Sequence, residues 1–317
     1  MTERTIARRY VRALFELALE QQAADGVLQD LERLLQKLAH EPALLATLLD
    51  PRADLATKRG VADRLVPESA KAVALYYNKS TVAEAPKTTD ELLAAVKAGK
   101  KLVLNQNAYH NFGFYAAFGG KLLDDDNKCV ADQGGFVDAL QYLVDLKAAG
   151  AQFQTDGGKA DTLFRQGQAD MIINGPWSLG DYKKDLGDKL GVVPMPDGPK
   201  GKSAPLNGID GFHINPNSQN PDGALALALF LTGQGSSTIY SDKAGHVPIR
   251  KDVTASDPLV GAFAQASAQG FPRPQSKEFG NYWTPFGDAI TKVLEGQAKP
   301  ADAIAEACGA MNKANGK

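Results

Sequence analysis

At 317 residues the chain is long enough for two domains, and 44% hydrophobic with 23% charged residues is an ordinary globular balance. A formal charge of −2 argues against a nucleic-acid or polybasic membrane partner, which would need a basic stripe. No run approaches the ~18 continuous apolar residues of a membrane span.

The chain opens with charges spread through an apolar pattern: Glu3, Arg4, Arg8, Arg9, Arg12, Glu16 and Glu20. A secretory leader instead flanks an apolar block with charge, so the chain as written is expected in the cytoplasm. Ile6, Tyr10, Leu14 and Leu17 recur at helical spacing, as do Leu28, Leu31, Leu35 and Leu38. Asp25 and Gly26 punctuate the two; Pro42 starts a third helix with Leu44, Leu45, Leu48 and Leu49, and residues 55–65 form a fourth.

Near residue 70 the composition reverses. The first 70 residues hold eight Arg and two Lys, the rest three Arg and 22 Lys, and only Gly26 and Gly60 of 31 glycines precede the break. Either cation suits an exposed surface, so a change from helices to loops does not explain the switch. Two segments of different origin do, with a boundary at 69/70.

The block Ala7-Arg8-Arg9-Tyr10-Val11-Arg12-Ala13-Leu14-Phe15-Glu16-Leu17-Ala18, followed by Leu48-Leu49-Asp50-Pro51, resembles the amino-terminal domain of the ATP synthase delta subunit. In that family the domain is a six-helix bundle holding alpha-subunit amino-terminal tails. Here the pattern stops after four helices. The resemblance implies a truncated all-α bundle over residues 1–69 and an ATP synthase alpha subunit as its partner.

Beyond the break, residues 72–77 read as a strand and residues 86–93 open a helix capped by Thr88 or Thr89. Residues 101–104 are a strand, 134–149 a long amphipathic helix, 160–166 a helix, and 170–174 a strand ending at Gly175-Pro176-Trp177. Strands alternating with helices predict an α/β domain over 70–317. Asp124-Asp125-Asp126-Asn127-Lys128 lacks the glycine and distal glutamate of a calcium loop and reads as a solvated turn. His40, His110, His213 and His246 have no metal spacing and read as surface or packed imidazoles. Cys129 and Cys308 fit no zinc or redox spacing and are expected as free thiols, a disulfide between them being the alternative. With no phosphate loop and no nucleophile elbow, neither an enzyme nor a cofactor is expected.

The series Ala74-Leu75-Tyr76-Tyr77-Asn78-Lys79, Phe164-Arg165-Gln166-Gly167-Gln168-Ala169, Ile173-Asn174-Gly175-Pro176-Trp177, residues 208–214, Gly245-His246-Val247-Pro248 and Tyr282-Trp283 is similar to the maltose-binding branch of ABC-transporter solute-binding proteins. The resemblance implies the carboxy-terminal lobe of a periplasmic-binding-protein-like fold, normally extracytoplasmic. It implies carbohydrate binding in ABC import, with a small-molecule sugar and the transporter's membrane subunits as partners. A pyranose offers a C–H face to aromatic rings and an edge of hydroxyls to amides and carboxylates.

By that resemblance Tyr109, Trp177 and Trp283 fall on sugar-stacking positions, although a Tyr or Trp is more often packing than platform. Asn107 falls where maltose-specific members carry glutamate, and Gly287 where they carry arginine. Asp210, between Gly208 and Gly211, is a further ligand candidate, with a plain turn as its alternative. The opening residues of the first lobe are missing from the pattern. Segment 206–271, which belongs to that lobe, is therefore expected without its strand partners and with only half the enclosing surface, which implies weak affinity. A peripheral-stalk subunit and a chimera without selected function are the alternatives.

Overall fold

The computed structural model describes residues 67–215, 217–274 and 276–317. The four helices expected before residue 67, the delta-type resemblance with its alpha-subunit partner, and His40 lie outside the described residues.

In chain order the elements are β1 (Pro67–Lys71), β2 (Ala74–Asn78), α1 (Thr89–Lys97), β3 (Leu102–Asn105), α2 (Phe112–Ala117), α3 (Gly135–Ala148), β4 (Gln152–Gln154), α4 (Gly157–Arg165) and β5 (Met171–Asn174). There follow α5 (Leu179–Leu186), β6 (Leu190–Val193), β7 (Leu206–Gly211), α6 (Pro221–Leu231), α7 (Gln234–Ala244), β8 (Val247–Pro248), α8 (Pro258–Gln269), β9 (Phe271–Pro272), α9 (Lys277–Gly280), α10 (Trp283–Leu294) and α11 (Pro300–Ala314). The chain divides into two compact units. One contains Lys71–Gly208 and Asp257–Lys317; the described part of the other contains residues 67–70 and Ile209–Ser256.

The larger unit is built on a five-stranded sheet in the order β4-β3-β5-β2-β6. β3 runs parallel to β4 and β5, while β2 is antiparallel to β5 and β6, with Leu75 opposite Ile173 and Val193. The sequences Leu-Val-Leu-Asn and Met-Ile-Ile-Asn are buried at every position, as expected for strands covered on both faces. Thr88 accepts the Glu91 N–H at 3.1 Å, so the expected cap of α1 is Thr88. α3 buries Phe136, Ala139, Leu140, Leu143 and Leu146, one stripe at helical spacing. Its Phe136 stacks on Tyr115 of α2, ring centroids 3.8 Å apart, and meets Phe286 of α10 at 5.6 Å.

Two expectations are corrected here. Cys129 and Cys308 are not free thiols but a buried disulfide, with Cα atoms 5.4 Å apart. The 179-residue separation hides their proximity, because α11 returns beside the turn that precedes Cys129. Asn312 of α11 accepts the Cys129 N–H at 2.7 Å, tying the same two segments. The second correction concerns segment 206–271, which does find strand partners. β7 pairs in parallel with β9, Leu206 opposite Phe271, and β8 pairs antiparallel with β1, Ser69 opposite Pro248. β1 begins at Pro67, before the expected boundary, and the unit division falls at 209 and 256, inside that segment.

In the smaller unit α6 starts at Pro221 under an Asn220 cap, and α7 ends at left-handed Gly245. His246 follows as a packed imidazole, 3.2 Å from the Ser69 hydroxyl and with its ring 4.2 Å from that of Tyr240. Residues Asp124 to Lys128 form an exposed turn closed by Asp124, which accepts the Asp126 and Lys128 N–H groups. Among the described residues no helix is long and apolar enough to cross a membrane.

Candidate ligand-binding site

The site is assembled at the ends of β3 and β5 and at the start of α10, all in the larger unit. β3 leads into a loop braced by its own amides. Asn107 Oδ1 accepts the N–H groups of Tyr109 (3.1 Å) and His110 (2.9 Å), and Asn111 Nδ2 donates to the carbonyls of Asn105 and Asn107, both at 2.8 Å. Such local side-chain bonds fix a loop that would otherwise lose order. From α10's side, the buried Tyr282 hydroxyl donates to the Ala108 carbonyl at 2.9 Å. Tyr109 is thereby held in place from both sides.

β5 ends in Asn174, whose amide serves both directions. Its Oδ1 accepts the Gly175 N–H at 2.8 Å, while its Nδ2 faces Asp161 (2.6 Å), Tyr182 (3.0 Å) and Ser178 (3.1 Å). The Tyr182 hydroxyl donates to the same Asp161 oxygen at 2.6 Å. Burial raises the Asp161 carboxyl above its usual range, with the Tyr182 hydrogen bond and the Arg165 charge opposing it. The Tyr76 hydroxyl donates to the Gly175 carbonyl at 2.8 Å, and burial raises the Tyr76 pKa. Pro176 then begins a single tight turn, Pro176–Ser178, which projects Trp177 outward.

These supports bring together three of the expected residues. The Tyr109 ring lies 6.1 Å from that of Trp177 and 6.5 Å from that of Trp283, tilted by 43° and 36°. Trp177 is 47% exposed although it stands on buried neighbours, so an indole face is open to solvent. Trp283 opens α10 with its edge on Phe279 at 5.5 Å. Gly287 lies one turn further along α10, and a Cβ there would meet nothing within 4 Å. That leaves open space at position 287.

Asn107 sits in the same loop, but its Oδ1 serves that loop and also the His110 ring, 2.9 Å away at Nδ1. The donors it has left are those on Nδ2. Asp210 lies on β7 in the other unit. There its charge, after burial, raises the carboxyl of Glu68. Sequence reasoning read His110 only as a surface or packed imidazole and passed over Asn174, Asp161 and Tyr182 as site residues. Asn174 stood inside a quoted motif, yet only the fold brings His110 to it.

The sequence model of the family described as bacterial extracellular solute-binding protein matches residues 13–268. The maltotriose-binding protein of Pyrococcus abyssi is 27% identical over 252 residues, 73% of this chain and 54% of that one. The galactooligosaccharide-binding protein of Bacillus subtilis is 26% identical over 269 residues, 76% of this chain and 63% of that one. The chain thus spans between about half and two thirds of these relatives' length. Among solved structures, the maltotriose binding protein of Thermus thermophilus, bound with maltotriose, superposes with a TM-score of 0.72 at 31% identity, covering 79% of this chain and 72% of that one. The GacH receptor of Streptomyces glaucescens shares the fold, with a TM-score of 0.74 at 23% identity over 84% of this chain and 76% of that one.

Proposed function

The chain belongs to the bacterial extracellular solute-binding protein family, and from that premise we propose that it binds an oligosaccharide as the receptor component of an ABC importer. The observation that carries the reading is the aromatic arc in which Tyr109 lies between Trp177 and Trp283, at 6.1 and 6.5 Å. Rings at such spacing present apolar faces to successive pyranose C–H faces, and burial of those faces supplies most of the affinity. A maltotriose-type α-glucan or a galactooligosaccharide is the solute class, as in the relatives above.

Hydroxyl recognition needs polar partners around the arc. Asn107, in the loop that carries Tyr109, offers its Nδ2 donors. Asparagine at 107 and glycine at 287 place no charge near the rings at those positions, which favours recognition through neutral groups and stacking. The partners in this reading are the sugar and the membrane subunits of the transporter, and binding proceeds without catalysis.

The disulfide supports an extracytoplasmic setting, since such bonds persist in oxidising compartments and are rare in the cytosol. Titration of intrinsic tryptophan fluorescence with maltotriose, a galactooligosaccharide and monosaccharide controls tests the reading. Saturable change with an oligosaccharide sustains it; a flat response to the whole panel refutes it.

A further inference from the structure

His110 lies edge-on to two rings of the arc, 5.4 Å and 82° from Tyr109 and 6.0 Å and 90° from Trp177. Its Nδ1 is 2.9 Å from Asn107 Oδ1 and its Nε2 3.3 Å from Asn174 Oδ1. Both partners are amide oxygens, and neither amide is free to flip. Asn107 Oδ1 also accepts the Tyr109 and His110 N–H groups, and Asn174 Oδ1 accepts the Gly175 N–H. A neutral imidazole has one N–H. With that proton at the shorter contact, on Nδ1, the Nε2 lone pair faces an oxygen.

We infer that His110 is a positioning residue of the site: its neutral ring holds Tyr109 and Trp177 where a sugar stacks, and a proton on Nε2 draws the ring onto Asn174 and loosens that arrangement. The inference deepens the carbohydrate reading and rests on it. The geometry invites the second proton, since an imidazolium donates to both amide oxygens. Burial resists it, lowering the ring to about 4, against a smaller opposing effect of the Asn174 hydrogen bond.

The ring's own hydrogen-bond partners are uncharged. The titratable groups behind Asn174 are Asp161 of α4 and Tyr182 of α5, both bonded to its Nδ2, with Arg165 beside Asp161; Tyr109 is the titratable ring on His110's own loop. Asp161 keeps its place in this network whichever form His110 takes, because its contacts run through Asn174 Nδ2 and not through Oδ1.

Sugar selects the neutral ring, so affinity is full above the ring's pKa and falls by up to about tenfold per pH unit below it. A positioning role that is only structural would not impose that slope. The test compares wild type with His110→Phe, which keeps an edge-on ring and cannot take a proton. Maltotriose is titrated by calorimetry from about pH 7 down to about pH 3.5, with folding checked by circular dichroism at each step.

Expected is wild-type affinity at least about threefold weaker at the acid end, and a flat profile for the variant. A parallel measurement needs no sugar: ring nitrogen shifts in histidine-labelled wild-type protein report tautomer and pKa directly. The Nδ1–H tautomer titrating near 4, together with acid quenching of tryptophan emission that the variant lacks, supports the inference. If those signatures are present but no sugar binds at neutral pH, the carbohydrate reading fails and the ring geometry stands. An Nε2–H tautomer, or the same pH slope in His110→Phe as in wild type, overturns the inference.

Discussion

The indole of Trp177 lies over the backbone of Gly175, where a Cβ would overlap the ring. A side chain at 175 and the present indole position therefore exclude one another. Gly175→Ala is expected to displace Trp177 and weaken oligosaccharide binding by about tenfold or more, with little change in stability, because the exposed indole can swing aside. Fluorescence titration beside urea unfolding separates the two effects. Unchanged affinity would show that the indole is not a platform.

Trp177 and Trp283 should differ on truncation. Trp177 is 47% exposed, so Trp177→Ala is expected to leave the melting temperature nearly unchanged while abolishing most affinity. Trp283 is half-buried and packs on Phe279 and Tyr282 at 5.5 and 5.3 Å. Its alanine variant should lose both binding and about 2–4 kcal/mol of stability. Calorimetry with thermal melts of the two variants checks the contrast.

The Cys129–Cys308 bond joins two segments 179 residues apart. Its removal by reductant, or by Cys129→Ser with Cys308→Ser, is expected to cost about 2–5 kcal/mol. Melting curves with and without reductant read this directly: wild type should shift and the double variant should not.

His110 also gives a pH signature in stability. Its folded value of about 4 lies below the usual 6.5, so between those values the unfolded chain binds more protons. The stability associated with the neutral ring is complete above about 6.5 and is lost as pH falls towards 4, on the order of 3 kcal/mol. The raised Asp161 carboxyl acts with the opposite sign, favouring folding as pH falls. The informative quantity is thus the difference between wild type and His110→Phe, measured by urea unfolding across that window. Parallel curves would contradict the assignment.

What the sequence revealed followed burial. Strands expected at 101–104 and 170–174 appear as Leu102–Asn105 and Met171–Asn174, and the helix expected at 134–149 appears as Gly135–Ala148. The two strands are short continuous apolar runs and the helix carries a stripe at helical spacing, signals that burial alone writes into the sequence. β1, with sequence Pro-Glu-Ser-Ala-Lys, has no such pattern, and β8 and β9 are two residues each, so only their partners define them.

The aromatic residues of the candidate site were singled out through the family resemblance, but the network beneath them was not. His110 and Asn174 are 64 residues apart, and nothing local marks either as the other's partner. The disulfide was hidden for the same reason. Asn107 shows the converse: the family resemblance marked its position, while its work within the loop became visible only from the hydrogen bonds of Tyr109 and His110.

The central claim is that the Tyr109–Trp177–Trp283 arc binds an oligosaccharide. Isothermal calorimetry of the full chain with maltotriose, run beside Trp177→Ala, tests it most directly. Saturable one-site binding by the wild type, lost in the variant, is the predicted result. Absence of binding to maltotriose and galactooligosaccharide alike, or equal affinity in Trp177→Ala, would contradict it.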